Sequence, residues 1–557
     1  MRNRLFPVAL LSVLSLLALA LTFINLRQAL PLAQWQQAMF APDIDNIRQV
    51  VFHYSLLSRL ALLVGAGLGL AGLLFQQVLR NPLAEPTTLG VSSGAQLGLT
   101  VATLWQLPGG ELTQQFAAMG GAVLVGVLVF GIAWGKRLSP VTLILAGLVL
   151  SLYAGAVNQI FAIFNHDQLQ NMFLWSTGAL NQLDGHNVAL LWPRLLLAFA
   201  LALAILLSAQ LVNVAGIIGF IGLFASLLAK MLGARRLLSR LLLAPLIGAL
   251  LLWLADQCVL WLTAHWREVS TGTATALIGV PILLWLLPRL RTGSLPPAMN
   301  AGDTVSQERQ AVLRWCLAGV MILALCSLAG IAFGRDAHGW TWVSGDMLQQ
   351  LLPWRVPRVL AALVVGMMLG VAGVLIQRLT VNPMASPEVL GISSGAACGG
   401  WSCCFFVPGN VVAWLLPAGV LGAALTLLVI MLVASRGGFA PERMLLAGMA
   451  LNSAFVTLLM VLLASGDPRM AGLLSWISGS TYNISMTQAL QSAVVGMILV
   501  ALAPLASRWL TLLPLGGGLL VFADWCGRML AFPDQIPAGL MATFFGAPYF
   551  IWLLRRA

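Results

Sequence analysis

Residues 72–95 read GLLFQQVLRNPLAEPTTLGVSSGA, and residues 373–396 read GVLIQRLTVNPMASPEVLGISSGA. Asn81 aligns with Asn382 and Gly90 with Gly391, both at an offset of 301 residues. The same offset carries Leu145-Ala146-Gly147 onto Leu446-Ala447-Gly448, and Trp175 and Gly178 onto Trp476 and Gly479. Farther on, Asp256 meets Asp524 at an offset of 268, and Gly279 and Pro281 meet Gly546 and Pro548 at 267. A fixed-period self-match means that whatever one copy folds into, the other folds into as well. The fall in offset makes the second copy about 33 residues shorter, the loss lying between Trp476 and Asp524. The first copy holds GIIGFIGLFASLLAKMLGARR (Gly216 to Arg236) in the matching interval, and the second has nothing like it.

The chain is 60% hydrophobic and 8% charged over 557 residues, whereas a soluble domain carries about 25% charged residues. Apolar runs of about 20 residues recur from end to end, each long enough to cross a hydrocarbon core of about 30 Å. Backbone in lipid must bond to itself, so these runs are helices. The alternating pattern of a β-barrel is absent. The expected fold is an all-α polytopic membrane protein of two tandem homologous helical bundles. A first half spans 1–288, a cytoplasmic linker rich in Gly, Pro, Ser and charge spans 289–314, and a second half spans 315–557. Apolar runs suggest eight or nine helices per half. One of them, near 188–233, is compound, too long for one crossing and short for three at about 1.5 Å per residue. The first run, from about Phe6 to Ile24, has no small-residue cleavage site after it and is expected to stay as a helix.

The formal charge of +12 does not indicate nucleic acid. Lys and Arg cluster between apolar runs, as at Lys136-Arg137, Arg235-Arg236, Arg289 with Arg291, and Arg555-Arg556, the pattern of cytoplasmic loops. The seven Cys form no C-x-x-C pair and the five His are scattered. No metal site and no cofactor are expected.

Each copy of the quoted stretch holds two prolines four apart, Pro82 with Pro86 and Pro383 with Pro387. That spacing interrupts a regular helix. It marks a tight connector in which Asn81 and Asn382 can bond nearby backbone, and Gly90 and Gly391 allow close helix approach. Glu85 precedes the second proline of its copy and Glu388 follows that of the other, so they do not match as a catalytic pair. Asp256 and Asp524, matched across the repeat, are the candidate polar groups within the membrane, either as packing hydrogen bonds or as part of an ion path. No G-x-x-x-x-G-K-[ST] occurs, so the chain has no phosphate cradle of its own.

The connectors, the L-A-G helices, the W-x-x-G segments at Trp175 and Trp476 and the final G-x-P stretches resemble the permease family of type II ATP-binding-cassette importers. That family carries cobalamin, haem and iron–siderophore complexes, and the double length here is similar to its fused ferric-hydroxamate permeases. The resemblance runs over nearly the whole chain. It implies ten helices per half, a multi-pass place in the bacterial inner membrane, a separate ABC ATPase dimer, a periplasmic substrate-binding protein and no covalent chemistry. It also implies that an Arg pair opening the second helix docks the binding protein. Arg355 and Arg358 match that pair, and the first half keeps Arg59 alone with Leu56 at the other position. One departure stands out. The polar G-[DE]-x-x-A-x-x-L-G loop through which the family docks its ATPase is found in neither half, which implies either lost internal segments or a divergent form. A secondary carrier with buried, essential Asp256 and Asp524 is the competing reading from another class.

Overall fold

Where two helices cross at glycine, their backbones touch, and the two halves of this chain repeat such crossings position for position. The computed structural model describes residues 2–43, 45–78, 85–87, 89–133, 140–165, 168–169, 178, 180, 184–201, 204–215, 218–234, 236–263, 270–286, 311–336, 339–380, 386–388, 390–406, 411–435, 441–464, 479–482, 484–506 and 513–556. These residues divide into two units. Unit 1 is Met1–Ile282 with Val456–Gly466 and Tyr549–Ala557, and unit 2 is Leu283–Phe455 with Asp467–Pro548.

The principal helices of the first half are α1 (Arg2–Ala29), α2 (Arg59–Val78), α3 (Val91–Leu104), α4 (Gly110–Ala133) and α5 (Pro140–Phe164). They are followed by α6 (His186–Leu201), α7 (Ala204–Ala215), α8 (Ile221–Met231), α9 (Leu237–Thr263) and α10 (Thr271–Leu286). Helix α2 runs through the core of unit 1. Its Leu60, Ala61, Val64, Leu68, Leu70 and Ala71 pack with Leu191, Leu211, Ile221 and Leu252 from the helices around it. Burial on every side follows from composition, since α2 has hardly a polar residue between Arg59 and Gln76.

The second half begins with α11 (Ala311–Ala332) and a hairpin of β1 (Phe333–Asp336) and β2 (Gly339–Trp342). Then come α12 (Gly345–Thr380), α13 (Ile392–Phe406), α14 (Val411–Ser435), α15 (Pro441–Ala464), α16 (Met486–Ala506), α17 (Leu513–Leu530) and α18 (Ala538–Arg556). In unit 2, Val359 and Ala362 of α12 pack on Val521 of α17, with Cys326 and Ile331 of α11 beside them. Seven helices among the described residues are long and apolar enough to cross a membrane.

The repeat is visible contact by contact. In unit 1, Gly65 of α2 lies against the backbone of Gly248 in α9, and in unit 2 Gly366 of α12 lies against Gly516 of α17. A Cβ at any of the four would fall far inside van der Waals contact with the facing backbone. Without a hydrophobic drive between helices in lipid, close packing of this kind is what holds them. The connectors match too. Gly90 and Gly391 take φ of 72° and 68°, a left-handed conformation that favours glycine. A Cβ there would sit 2.7 Å from the Gly147 carbonyl oxygen and 2.8 Å from that of Gly448. The amide of Gly272 donates to the Gly178 carbonyl at 3.0 Å, and that of Gly539 to Gly479 at 3.2 Å.

Three features depart from the pattern read off the sequence. The compound run near 188–233 is three short helices, α6, α7 and α8, joined by breaks. The interval after α11 is the antiparallel hairpin, with Phe333 opposite Trp342 and Arg335 opposite Trp340, and α12 starts at Gly345 rather than near 358. Two prolines four apart also do share one helix, because Pro353 and Pro357 both lie inside α12. Such prolines are tolerated where neighbouring groups satisfy the freed carbonyls. The proline pairs of the connectors are the other case, since Pro86 and Pro387 lie in turns between helices. Asn81, Pro82, Asn382, Pro383, Trp175, Trp476 and most of the linker 289–314 lie outside the described residues.

Substitution at the crossings separates packing from propensity. Gly65→Val and Gly366→Val are expected to cost about 1–3 kcal/mol or more, as overpacking does. Gly155→Ala, whose Cβ would meet nothing within 4 Å, is expected to be neutral or to stabilise by up to about 1 kcal/mol. Melting of the purified protein in detergent, followed by size-exclusion chromatography, checks the contrast.

Candidate functional site

Helix α11 ends at Ala332, so its last carbonyls lack partners within the helix. Two arginines fill the need. Arg355 Nη1 donates to the Ile331 carbonyl at 2.7 Å, and Arg528 Nη2 to the Gly330 carbonyl at 3.1 Å. Cations at this end also suit the helix dipole. Arg528 is held by an ion pair within α17, its Nε lying 3.1 Å from Asp524 Oδ2 with both side chains under a tenth exposed. The other oxygen of Asp524 accepts from the Thr481 hydroxyl. Arg358 lies one turn beyond Arg355 on α12. It donates to Gln535 Oε1 at 3.0 Å and to the Tyr482 carbonyl at 3.1 Å, and its guanidinium sits 4.8 Å from the centre of the Tyr482 ring.

An aromatic slab continues from this cluster. Phe333 stacks on Trp340 at 5.6 Å and on Trp525 at 5.9 Å. Trp525 Nε1 donates to the Phe333 carbonyl at 3.1 Å. The hairpin is thereby pinned to α17, one residue from Asp524.

Unit 1 neutralises its matching carboxylate differently. Asp256 is 3% exposed, and the residue one turn on is Leu260 instead of an arginine. Its partners are the Ser58 hydroxyl and, at 3.4 Å, the Thr271 hydroxyl. Behind Ser58 stands a chain of donors pointing one way. Asn25 Nδ2 donates to Gln257 Oε1 at 2.8 Å, and Gln257 Nε2 to Ser58 Oγ at 2.7 Å. Aligned hydrogen bonds of this kind polarise one another toward the acceptor at the end. Arg59, the residue after Ser58, is exposed and lies 3.2 Å from His53 Nε2.

The connector of unit 1 holds a third buried carboxylate, Glu85, which is 5% exposed. It accepts from the Thr87 hydroxyl at 2.5 Å. Burial raises its pKa, and the Thr87 hydroxyl and nearby backbone at Leu223 and Phe220 oppose the rise. A small cavity beside it is lined by Leu68, Thr87, Ser92, Ser208 and Val212.

Sequence reasoning thus picked out Asp256 and Asp524 and the arginines at 355 and 358, and the structure brings Asp524 and Arg355 into one cluster through Arg528. It missed Arg528, although the Asp-x-x-x-Arg spacing on a helix signals an i,i+4 pair. Gln257 and Asn25 carry no such signal, being 232 positions apart. Of the three arginines singled out for docking, Arg59 is exposed while Arg355 and Arg358 are partly buried and engaged within unit 2.

Two copies of one membrane-crossing helical bundle, without a phosphate loop, define a polytopic membrane permease. The profile of the FecCD transport family matches residues 10–205, 194–289, 316–517 and 514–556, and the chain belongs to that family. It is 57% identical to the iron(3+)-hydroxamate import system permease protein FhuB of Escherichia coli (strain K12), covering 100% of this chain and 99% of that one. It is 58% identical to the protein of the same name from Salmonella typhimurium, over 99% of this chain and 95% of that one. The hemin transport system permease protein HmuU of Yersinia pestis, 33% identical, matches 42% of this chain with 80% of its own length, as a relative of single length does.

These comparisons also locate the missing segments. The match to the Escherichia coli protein extends over 656 positions, against 557 residues here, a difference of 99. The family profile breaks once in each half, at 194–205 and at 514–517, the intervals in which the expected polar loop is absent.

The two buried aspartates are expected to respond differently. Arg528→Met strands Asp524 and is expected to cost about 3–5 kcal/mol. The double variant Asp524→Asn with Arg528→Met is expected to recover part of that loss. Asp256→Asn keeps the hydrogen-bond chain and is expected to cost about 1 kcal/mol. Melting temperatures of the purified variants in detergent decide it, and equal losses at Asp256 and Asp524 would remove the distinction between the units.

Proposed function

We propose that this chain is the membrane permease of an ABC import system for iron(3+)-hydroxamate chelates. The observation that carries the reading is identity of 57% along the entire doubled length of a permease named for that substrate, where the hemin and vitamin B12 permeases cover only 42% and 41% of this chain. The permease performs no covalent step. It offers helical bundles that change arrangement while a separate ATPase supplies the energy and a binding protein delivers the chelate. The absence of a phosphate loop in the sequence assigns hydrolysis to that partner. The halves are assigned to 1–288 and 315–557 with the linker between them.

Docking of the binding protein is assigned to Arg59 and Arg358, supported by exposure at the first and by a polar, partly open setting at the second. Arg355 is assigned with them, although it also serves the end of α11. An ion-coupled carrier is disfavoured at Asp524, whose charge is already matched by Arg528.

Reconstitution tests the reading. With the ATPase and binding protein of a hydroxamate system in proteoliposomes, uptake of a radioiron(3+)-hydroxamate is expected to require both partners and ATP. Uptake that persists without the ATPase and follows a proton or sodium gradient would overturn it. Because the family profile breaks at the ATPase-docking intervals, binding of the ATPase in detergent is measured alongside. Charge reversal, Arg59→Glu or Arg358→Glu, is expected to raise the concentration of loaded binding protein needed for half-maximal uptake about 10-fold, a typical cost for an interfacial charge.

A further inference from the structure

Arg358 touches two loops of unit 2, and both are tied to the same turn of α17. Its Nη2 donates to the Tyr482 carbonyl at 3.1 Å and its Nη1 to Gln535 Oε1 at 3.0 Å. The Tyr482 ring lies against the guanidinium, 4.8 Å from its centre. In the loop 479–482, the Thr481 hydroxyl donates to Asp524 Oδ1 of α17. The Gly479 carbonyl of that loop accepts from the Gly539 amide of α18 at 3.2 Å. In the loop after α17, the Ile536 amide donates to the Gly527 carbonyl at 2.9 Å. That loop packs on helix backbone, since a Cβ at Gly527 would fall 2.2 Å from the Ile536 carbonyl oxygen. Each partner of Arg358 is thus one residue away from an anchor on the turn 524–527.

Asp524 is well placed to serve as the fixed point. Its second oxygen pairs with Arg528 at 3.1 Å, and Arg528 donates to the Gly330 carbonyl at the end of α11. Arg528 matches the charge of Asp524, which leaves the other oxygen to hold a loop. Asp524 is 4% exposed and is itself out of reach of a docked protein. The first half lacks this tie. At the offset of 301 that matches Gly178 with Gly479, Thr481 corresponds to Leu180, which is buried and has no hydroxyl. The carboxylate there turns to Ser58 and Thr271 instead. An arginine side chain is rich in rotamers, and ordering it at an interface is costly unless it is ordered beforehand. Two acceptors fixed to one helix supply that order for Arg358.

We infer that Thr481 and Asp524 are positioning residues for docking, which hold the loop 479–482 so that Arg358 is oriented before the binding protein arrives. The inference rests on the assignment of Arg358 to docking made above. It gives the repeated aspartate of the second half a part in recognition, exerted through a loop and not through an ion path.

The test uses the full chain in nanodiscs and the binding protein of a hydroxamate system, loaded with its iron(3+)-hydroxamate. Dissociation constants and melting temperatures are measured for Thr481→Val, Thr481→Ser, Arg358→Ala and the double variant Thr481→Val with Arg358→Ala. Thr426→Val, which removes a hydroxyl bonded to the Gly422 carbonyl within α14, serves as the control for a lost hydrogen bond elsewhere in unit 2. Thr481→Val is expected to weaken binding about 3- to 10-fold, the net worth of one hydrogen bond. Thr481→Ser is expected to restore it, and the control to leave it unchanged. Added to Arg358→Ala, Thr481→Val is expected to change the constant by less than about 2-fold, because the two act through one contact. If Thr481→Val melts below the control, Thr481→Ala carries the comparison. Multiplying effects in the double variant, or a shift no larger than that of the control, would overturn the positioning role. Weaker binding by Arg358→Ala with none at Thr481 would overturn it too, and would leave the docking assignment standing. Unchanged binding by Arg358→Ala, or no binding by the wild-type chain, would overturn the docking assignment and the inference with it.

Discussion

Every peptide group of a chain in lipid must find its hydrogen bond inside the protein, and this constraint shapes the rest. It makes the spans helical, and it leaves helix association to close packing, because lipid tails offer no penalty for exposing leucine. Glycine is then placed where backbones must touch. The pairs Gly65 with Gly248 and Gly366 with Gly516 mark the same crossing in both units. Since the contact is between backbones, the rest of each helix surface is free to change. The two copies keep this crossing although most of the residues around it differ.

Charge follows the same logic with different solutions. A carboxylate inside a helical bundle is costly unless it is paired or fully hydrogen-bonded. Asp524 has Arg528 four residues on. Asp256 has hydroxyls in front and an amide chain behind. Glu85 has the Thr87 hydroxyl. These three buried carboxylates are thus held by a cation, by aligned dipoles of side chains, and by a neighbouring hydroxyl.

Much of this was legible in the sequence, and the parts that were not have physical causes. The repeat, the spans and the paired aspartates stand out because they depend on residue type at fixed spacing. Family membership was legible for the same reason. The hairpin from Phe333 to Trp342 was not, because ten residues of mixed character beside an apolar run show neither a helical nor a clear strand period. The long start of α12 was hidden by Pro353 and Pro357, which read as a helix boundary and lie within a helix. The burial of Arg355 against Ile331 could not be foreseen, since it depends on where another helix ends. Gln257 and Asn25 look like any amides on apolar helices until the fold brings them together.

The two ways of holding the repeated aspartate imply unequal tolerance of mutation. An arginine one turn away is a local solution for one carboxylate oxygen, since the backbone of one helix supplies the geometry. The arrangement at Asp256 recruits Asn25 from α1, Ser58 from the segment before α2, Gln257 from α9 and Thr271 from α10. Loss of Asn25, Gln257 or Ser58 breaks the relay, and no neighbour in sequence can substitute. The first copy thus spreads the support of its aspartate over four separate segments, while the second draws on one helix and on Thr481.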